Sequence, residues 1–281
     1  MLLECKFYVL KNDKWTKKLI ARINRKLDSP KLENNFNQKF RIMKTLIKLS
    51  AILFLLIGTT SCFMDGVKGD GNVISKTRKI SDDFSRVEVS RGLDLYITKS
   101  NNLSLEIEAD QNLHELIETE VRNGVLRITS SRNIWKASSK KVHLHVDYLN
   151  GITVNSGAEV NTRNTFVSDE LSLDVSSGAT AEMELRVEDL SCDSSSGADI
   201  ELSGKAKNFK VSSSSGSNVK AYDLQARNCN ADASSGSGIK IHAAETIEAS
   251  ASSGGNISYK GNPKVLSERN SSGGNIRKTG A

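Results

Sequence analysis

Ser195-Ser196-Gly197-Ala198-Asp199-Ile200-Glu201-Leu202 is one of seven versions of a single phrase. Its Ser-Gly step recurs with the glycine at Gly157, Gly178, Gly197, Gly216, Gly236, Gly254 and Gly273, at intervals of 21, 19, 19, 20, 18 and 19 residues. A serine precedes every one of these glycines, and in six of the seven copies another serine stands before it. Self-similarity at a fixed period of this size marks a repeat architecture.

The register creates columns. Three residues after the glycine stand Val160, Ala181, Ile200, Val219, Ile239, Ile257 and Ile276, and five after it Met183, Leu202, Ala221, Ile241 and Tyr259. Seven before it come Leu171, Leu190, Phe209, Cys229, Ile247 and Leu266, and five before it Leu173, Cys192, Val211, Ala231 and Ala249. The residues between are mostly polar or charged, among them Asp199, Glu201, Lys210, Lys220, Lys240 and Glu248. Apolar alternation of period two predicts strands, and no helical period survives.

One copy therefore reads as two short strands hinged at Ser-Ser-Gly, with a looser second turn such as Ser203-Gly204-Lys205 or Gly261-Asn262-Pro263. A unit of this size cannot bury its own apolar face. Copies stacked at about 4.8 Å per turn place like columns over like columns in a continuous core. The predicted object over residues 156–281 is a parallel β-helix. Glycine supplies positive φ at the hinge, and the serines are expected to form a hydroxyl ladder, each bonding its neighbour above and below.

At 281 residues, 37% hydrophobic and 26% charged, the chain is globular in composition. Its formal charge of +6 would point to nucleic acid or an anionic membrane. That charge belongs to the leader: residues 62–281 hold 26 basic and 29 acidic residues, a net of −3. Nucleic acid is accordingly not expected as a partner.

Residues 1–42 are basic and weakly amphipathic, and read as a doubtful leader, with translation expected to start at Met43. From there Lys44 and Lys48 precede the apolar run Leu49 to Gly58 and the small residues Thr59-Thr60-Ser61, a signal peptide over 43–61 that is too short to span a bilayer. Cys62 directly after small residues resembles the lipobox of bacterial lipoproteins, with Thr59 departing from the usual leucine. The resemblance implies lipid attachment at Cys62, export, and anchoring in the outer membrane on its surface or periplasmic side. Glycines at Gly66, Gly69 and Gly71 make 62–72 read as a flexible tether. Cys192 and Cys229 are indexed by glycines two turns apart, roughly 9.6 Å at 4.8 Å per turn. That is too far for a disulfide, whose Cα atoms approach within about 7 Å.

Residues 73–155 form a separate β region, in which alternation continues without the Ser-Gly repeat. Strands are legible at Phe84 to Val89, Leu93 to Thr98, Leu103 to Ala109, Val125 to Thr129 and Val142 to Val146, with a helical turn expected in Asn112 to Thr119. Phe84-Ser85-Arg86-Val87, Gly92-Leu93-Asp94-Leu95-Tyr96-Ile97 and Asn123-Gly124-Val125-Leu126-Arg127-Ile128, together with the Ser-Ser-Gly copies and the Gly-Gly-Asn-Ile segments at Gly254 and Gly273, carry a resemblance. Over residues 73–281 the chain resembles the head GIN domain family of auto-transporter adhesins, common among Bacteroidetes envelope lipoproteins. The resemblance implies an all-β fold: a right-handed parallel β-helix after a more irregular β region. It brings no catalytic residues.

The chemistry visible in the sequence is sparse. His114, His143, His145 and His242 form no metal spacing, and His143 and His145 read as one exposed polar strand face. No nucleophile elbow, phosphate-binding loop, dinucleotide fingerprint or zincin motif occurs. The file two after each glycine, Glu159, Thr180, Asp199, Asn218, Gly238, Asn256 and Asn275, has too few carboxylates for calcium. No metal or other cofactor and no catalytic residue is expected. Three functions remain: a surface adhesion module binding glycan or protein on a β-helix face, a periplasmic scaffold or stress-related protein, and a polysaccharide-degrading β-helix enzyme. The short, regular turns disfavour the enzyme, because active sites on solenoids sit in long turn insertions.

Overall fold

The computed structural model describes residues 66–280 and, in the leader, Lys18, Ala21 and Arg22, which are helical. Leader and body are two compact units, Met1–Met64 and Asp65–Ala281. Met43, the signal segment 43–61 and Cys62 lie outside the described residues.

The body is a parallel β-helix whose corner is dictated by backbone chemistry. At each Ser-Gly step both residues have positive φ, 48° to 57° at the serine and 69° to 78° at the glycine. Two successive left-handed residues define a type I′ turn, which suits glycine and strains serine. The turn closes on itself, as where the Ala198 N–H donates to Ser195 O (3.2 Å). Coils are tied by the main chain: Gly157 N–H donates to Ser177 O, Gly178 to Ser196 O and Gly197 to Ser215 O, at 3.1 to 3.2 Å, and so on up the stack. The expected hydroxyl ladder is not what holds the corner. Ser156, Ser177, Ser196, Ser215, Ser235, Ser253 and Ser272 are exposed, because an αL residue at a convex corner points its side chain to solvent. The hydroxyls that do bond are one step inside the turn, where Ser217 Oγ donates to Ser194 O (2.9 Å) and Ser237 Oγ to Ser213 O (2.6 Å).

Between corners the chain runs as single bent strands, Thr180–Ser194, Asp199–Ser213, Asn218–Ala233 and Gly238–Ala251. The looser turn expected at Ser203-Gly204-Lys205 is therefore a bend inside a strand. Gly204 has φ of +106°, and a Cβ there would collide with the Leu185 carbonyl oxygen of the preceding coil. At Gly261-Asn262-Pro263 the strand does break, between Asn256–Lys260 and Lys264–Asn270. Alternation slips in every coil at a matching place, where two successive residues stay out of the core: Asp169-Glu170, Glu188-Asp189, Lys207-Asn208, Arg227-Asn228 and Glu245-Thr246; Tyr222-Asp223 add a second slip at the bend of their coil. The matching slip makes a second corner. The four apolar columns stack in register and are buried, except at the last coil, where Ile276 is half-buried and Leu266 is 50% exposed.

The stack begins two coils below the first Ser-Gly copy. Arg91 (φ 58°) and Gly92 (φ 69°) repeat the corner conformation, and the Gly92 N–H donates to Ser156 O (3.0 Å). Arg86–Val89 and Asp94–Lys99 lie parallel and in register with Gly151–Val154 and Glu159–Thr162. Val125–Ser130 and Lys140–Val146 continue the stack below them, again parallel. Antiparallel strands then cover this end: Ile117–Arg122 on one side, Ser104–Asp110 and Val73–Arg78 on the other. The irregular β region is thus two foundation coils plus an antiparallel cap. The helical turn expected after Asn112 shrinks to the 3₁₀ turn Gln111–Leu113, because Ile117 onward is claimed by pairing with Val125–Ser130.

Residues 66–72, read as flexible tether, are docked on the cap. Val67–Lys68 pairs with Ile134–Lys136. Buried Asp110 accepts from the Gly71 N–H (2.9 Å) and from the Ser138 and Ser139 N–H groups (3.0 Å each). Burial pushes this carboxyl up, but the three backbone donors outweigh it and hold it below the usual aspartate range.

Candidate functional site

The sheet built from the second half of each coil carries an open depression. Its floor is the outward column Ser172, Ser191 and Lys210, where the two serines leave an open groove of about 490 Å³. Arg86 closes one end and Lys210 stands at the other, while Glu170 and Asp189 form a wall. The depression continues over Asn228, Asn230 and Glu248 towards Ser267 and Arg269, along the direction in which the coils stack.

The wall is a side-chain ladder at the second corner. Asn208 Nδ2 donates to Asp189 Oδ1 (2.7 Å), Asn228 Nδ2 to Asn208 Oδ1 (3.0 Å), and Thr246 Oγ1 to Asn228 Oδ1 (2.7 Å). Each amide uses one donor and one acceptor site in the ladder and retains others for a ligand. Hydrogen-bonding capacity therefore recurs at the coil spacing of about 4.8 Å. At the Arg86 end the buried Asn150 Oδ1 has no partner. Two residues beyond the floor stand Asp174 and Asp193, side by side in register. Burial, and then repulsion from Asp193, pushes the Asp174 carboxyl above the usual range. No aromatic side chain and no histidine lines the groove. The sequence held a signal for the ladder: the residue eight before each glycine reads Glu170, Asp189, Asn208, Asn228 and Thr246.

The family model described as "Putative auto-transporter adhesin, head GIN domain" matches residues 83–263. The chain belongs to this head GIN family. Its fold is shared by a "putative adhesin" from Bacteroides fragilis NCTC 9343, at TM-score 0.70 and 23% identity over 76% of this chain and 100% of the other. A "putative adhesin" from Parabacteroides merdae ATCC 43184 aligns at TM-score 0.60 and 22% identity, over 76% of this chain and 99% of its own. A "putative lipid binding protein" from Parabacteroides distasonis ATCC 8503 aligns at 0.62 and 20%, over 76% and 100%. No curated protein matches in sequence.

The other residues singled out from sequence are dispersed over this head GIN body. The turn file two after each glycine stacks in register at the first corner and is solvent-facing, with Asn218 Nδ2 donating to Asp199 Oδ1 (3.2 Å). No three metal-ligating side chains converge among the described residues. His143 and His145 are half-buried rather than exposed, because the cap strand Ser104–Asp110 lies beside them. His143 stacks on Tyr96 (ring centroids 5.3 Å apart), and the Arg163 guanidinium lies 3.9 Å from the Tyr96 centroid. His114 is buried in the cap with Nε2 3.0 Å from Ile74 O. Cys192 and Cys229 are unpaired and buried in separate core columns, and burial pushes the Cys229 thiol up to about 12.

Proposed function

We propose that the head GIN body is a non-enzymatic binding module of the cell envelope, whose polar groove takes a hydroxyl-rich polymer such as a glycan. The observation that carries this is the Asp189–Asn208–Asn228–Thr246 ladder beside a floor of small residues. Spare amide and carboxylate sites at one-coil intervals suit repeating hydroxyls, and the shallow groove suits a chain lying on it better than an engulfed small molecule. Family membership supports the envelope location. Glu170 and Asp189 are stacked carboxylates, but Asp189 is occupied by Asn208, which favours binding over acid-base chemistry. In this reading the chain is exported, lipidated at Cys62 and held at the outer membrane.

The test is a glycan array probed with the full chain and with Asn208→Ala/Asn228→Ala. A retained glycan whose binding the double substitution abolishes, with Asn256→Ala at the opposite corner without effect, supports the groove. Equal binding by all three proteins overturns it, and turnover of a polysaccharide overturns the non-enzymatic reading. For the anchor, mass spectrometry of the membrane fraction should find lipid on Cys62, and Cys62→Ser should release the protein.

A further inference from the structure

A second groove of about 500 Å³ lies on the adjoining face, between the bend and the second corner. Four cations line it, Arg186, Lys205, Lys207 and Arg227, against two carboxylates, Glu188 and Glu245. This excess is local, since residues 62–281 carry a net charge of −3. Lys207 Nζ lies 3.3 Å from Glu188 and Arg227 Nε 3.9 Å from Glu245, both pairs exposed and hence weak. Arg186 and Lys205 are different. They face each other in register on neighbouring strands, both exposed, and among the described residues neither has a carboxylate within ion-pair distance.

Like charges directly opposite one another on adjacent strands destabilise a sheet. Like pairs recur elsewhere, as at Glu182–Glu201 and Lys220–Lys240, but there Glu201 and Lys220 answer each other across the coils (3.8 Å), whereas the Arg186–Lys205 pair is flanked in register by Val167 and Gln225. The floor between the charged side chains is the backbone at Val187, Ala206 and Ala226, whose side chains turn into the core, with the small exposed Ala244 beyond. Positive charge thus extends over three successive coils along a smooth trough. From these observations we infer that this trough binds an anionic glycan, carboxylated or sulfated, lying along the stacking direction with its charges between Arg186 and Lys205. The anion relieves their repulsion, and counterion release makes binding strongly salt-dependent.

The experiment measures binding of the full chain to heparin and polygalacturonate, with neutral dextran, phosphatidylglycerol vesicles and duplex DNA alongside. Arg186→Glu/Lys205→Glu is compared with Lys76→Glu/Lys240→Glu, which changes net charge equally on other exposed surfaces. Arg186→Gln/Lys205→Gln serves as the milder variant if charge reversal disturbs folding. Binding to at least one acidic glycan, weakened roughly tenfold or more by the groove variants and by raised salt but not by the distant pair, is the expected result. Equal losses from both double reversals, or equal binding to dextran, overturn it. Binding confined to vesicles or to DNA overturns the glycan assignment. Because the Asn208/Asn228 groove is left intact, loss here is separable from loss of the polar-groove function.

Discussion

Ile239→Asp tests the stacked core directly. Ile239 is 1% exposed and sits in register between Val219 and Ile257, so its side chain has apolar neighbours in the coils on both sides. Removing the buried isoleucine forfeits about 2–3 kcal/mol of transfer free energy. A carboxylate cannot remain ionised there; keeping it protonated at neutral pH, against a reference pKa near 3.9, costs about 4 kcal/mol. The neutral acid still leaves a polar group without a partner, worth about 1–3 kcal/mol. The total, roughly 7–10 kcal/mol, is comparable to the whole stability of a typical domain. Solenoid coils are stabilised by their neighbours, so the damage concentrates in the coil 238–251 and those beyond it. Thermal denaturation followed by circular dichroism should show the midpoint falling by roughly 15 °C or more, at about 2–4 °C per kcal/mol. Hydrogen exchange should accelerate in 238–278 before it does in the cap. Ile276→Asp, at a half-buried position in the last coil, should cost far less. A midpoint for Ile239→Asp within a few degrees of wild type, or equal losses from both substitutions, would refute the column stacking.

Asp110→Ala should release residues 66–72 from the cap and destabilise it by roughly 3–5 kcal/mol, since three backbone donors lose a charged acceptor; proteolysis at 66–72 monitors the release. Because the folded Asp110 pKa is depressed, that contribution is present above the unfolded value of 3.8 and disappears as pH falls through the folded value, which acid titration of the wild type by circular dichroism would show. Asp174 has the opposite sign: its raised folded pKa makes ionisation cost stability, so Asp174→Asn should be more stable than wild type at pH 7, with the gain vanishing below about 3.8 in a denaturant titration series. Cys192 and Cys229, buried with raised thiol pKa values, should resist iodoacetamide in the native state and react together on unfolding, and modification of either in folded protein would contradict their place in the core.

The repeat was legible because two independent constraints fall in one register. Alternation with period two gave the columns at Ile200, Leu202, Leu190 and Cys192, and the need for positive φ gave the glycines. Where only one constraint survives, the reading fails. Arg91-Gly92 keeps the glycine but not the serine, and the chain spends residues 100–150 in the cap and the lowest coil before returning to the next coil at Gly151, so no fixed interval marks the corner. Nothing in the sequence singles out Asp110, directly after the strand Leu103 to Ala109. Its role depends on Gly71, Ser138 and Ser139 converging on it from segments distant in sequence.

The grooves were hidden for a different reason. Sequence register says which residues stack from coil to coil, but which columns lie side by side on one face depends on where alternation slips. A second turn read at Ser203-Gly204-Lys205 lies several residues before the slip and leaves Lys205 and Asn208 in one uninterrupted segment. The observed slip at Lys207-Asn208 separates them: Lys205 faces the basic trough with Arg186, and Asn208 joins the polar ladder with Asp189. Neither slip residue is buried, so no apolar residue marks the position, and only pairing across coils reveals it. The two chemistries of this solenoid, hydrogen-bonding on one face and cationic on the next, are divided by a corner that costs the chain one residue of phase.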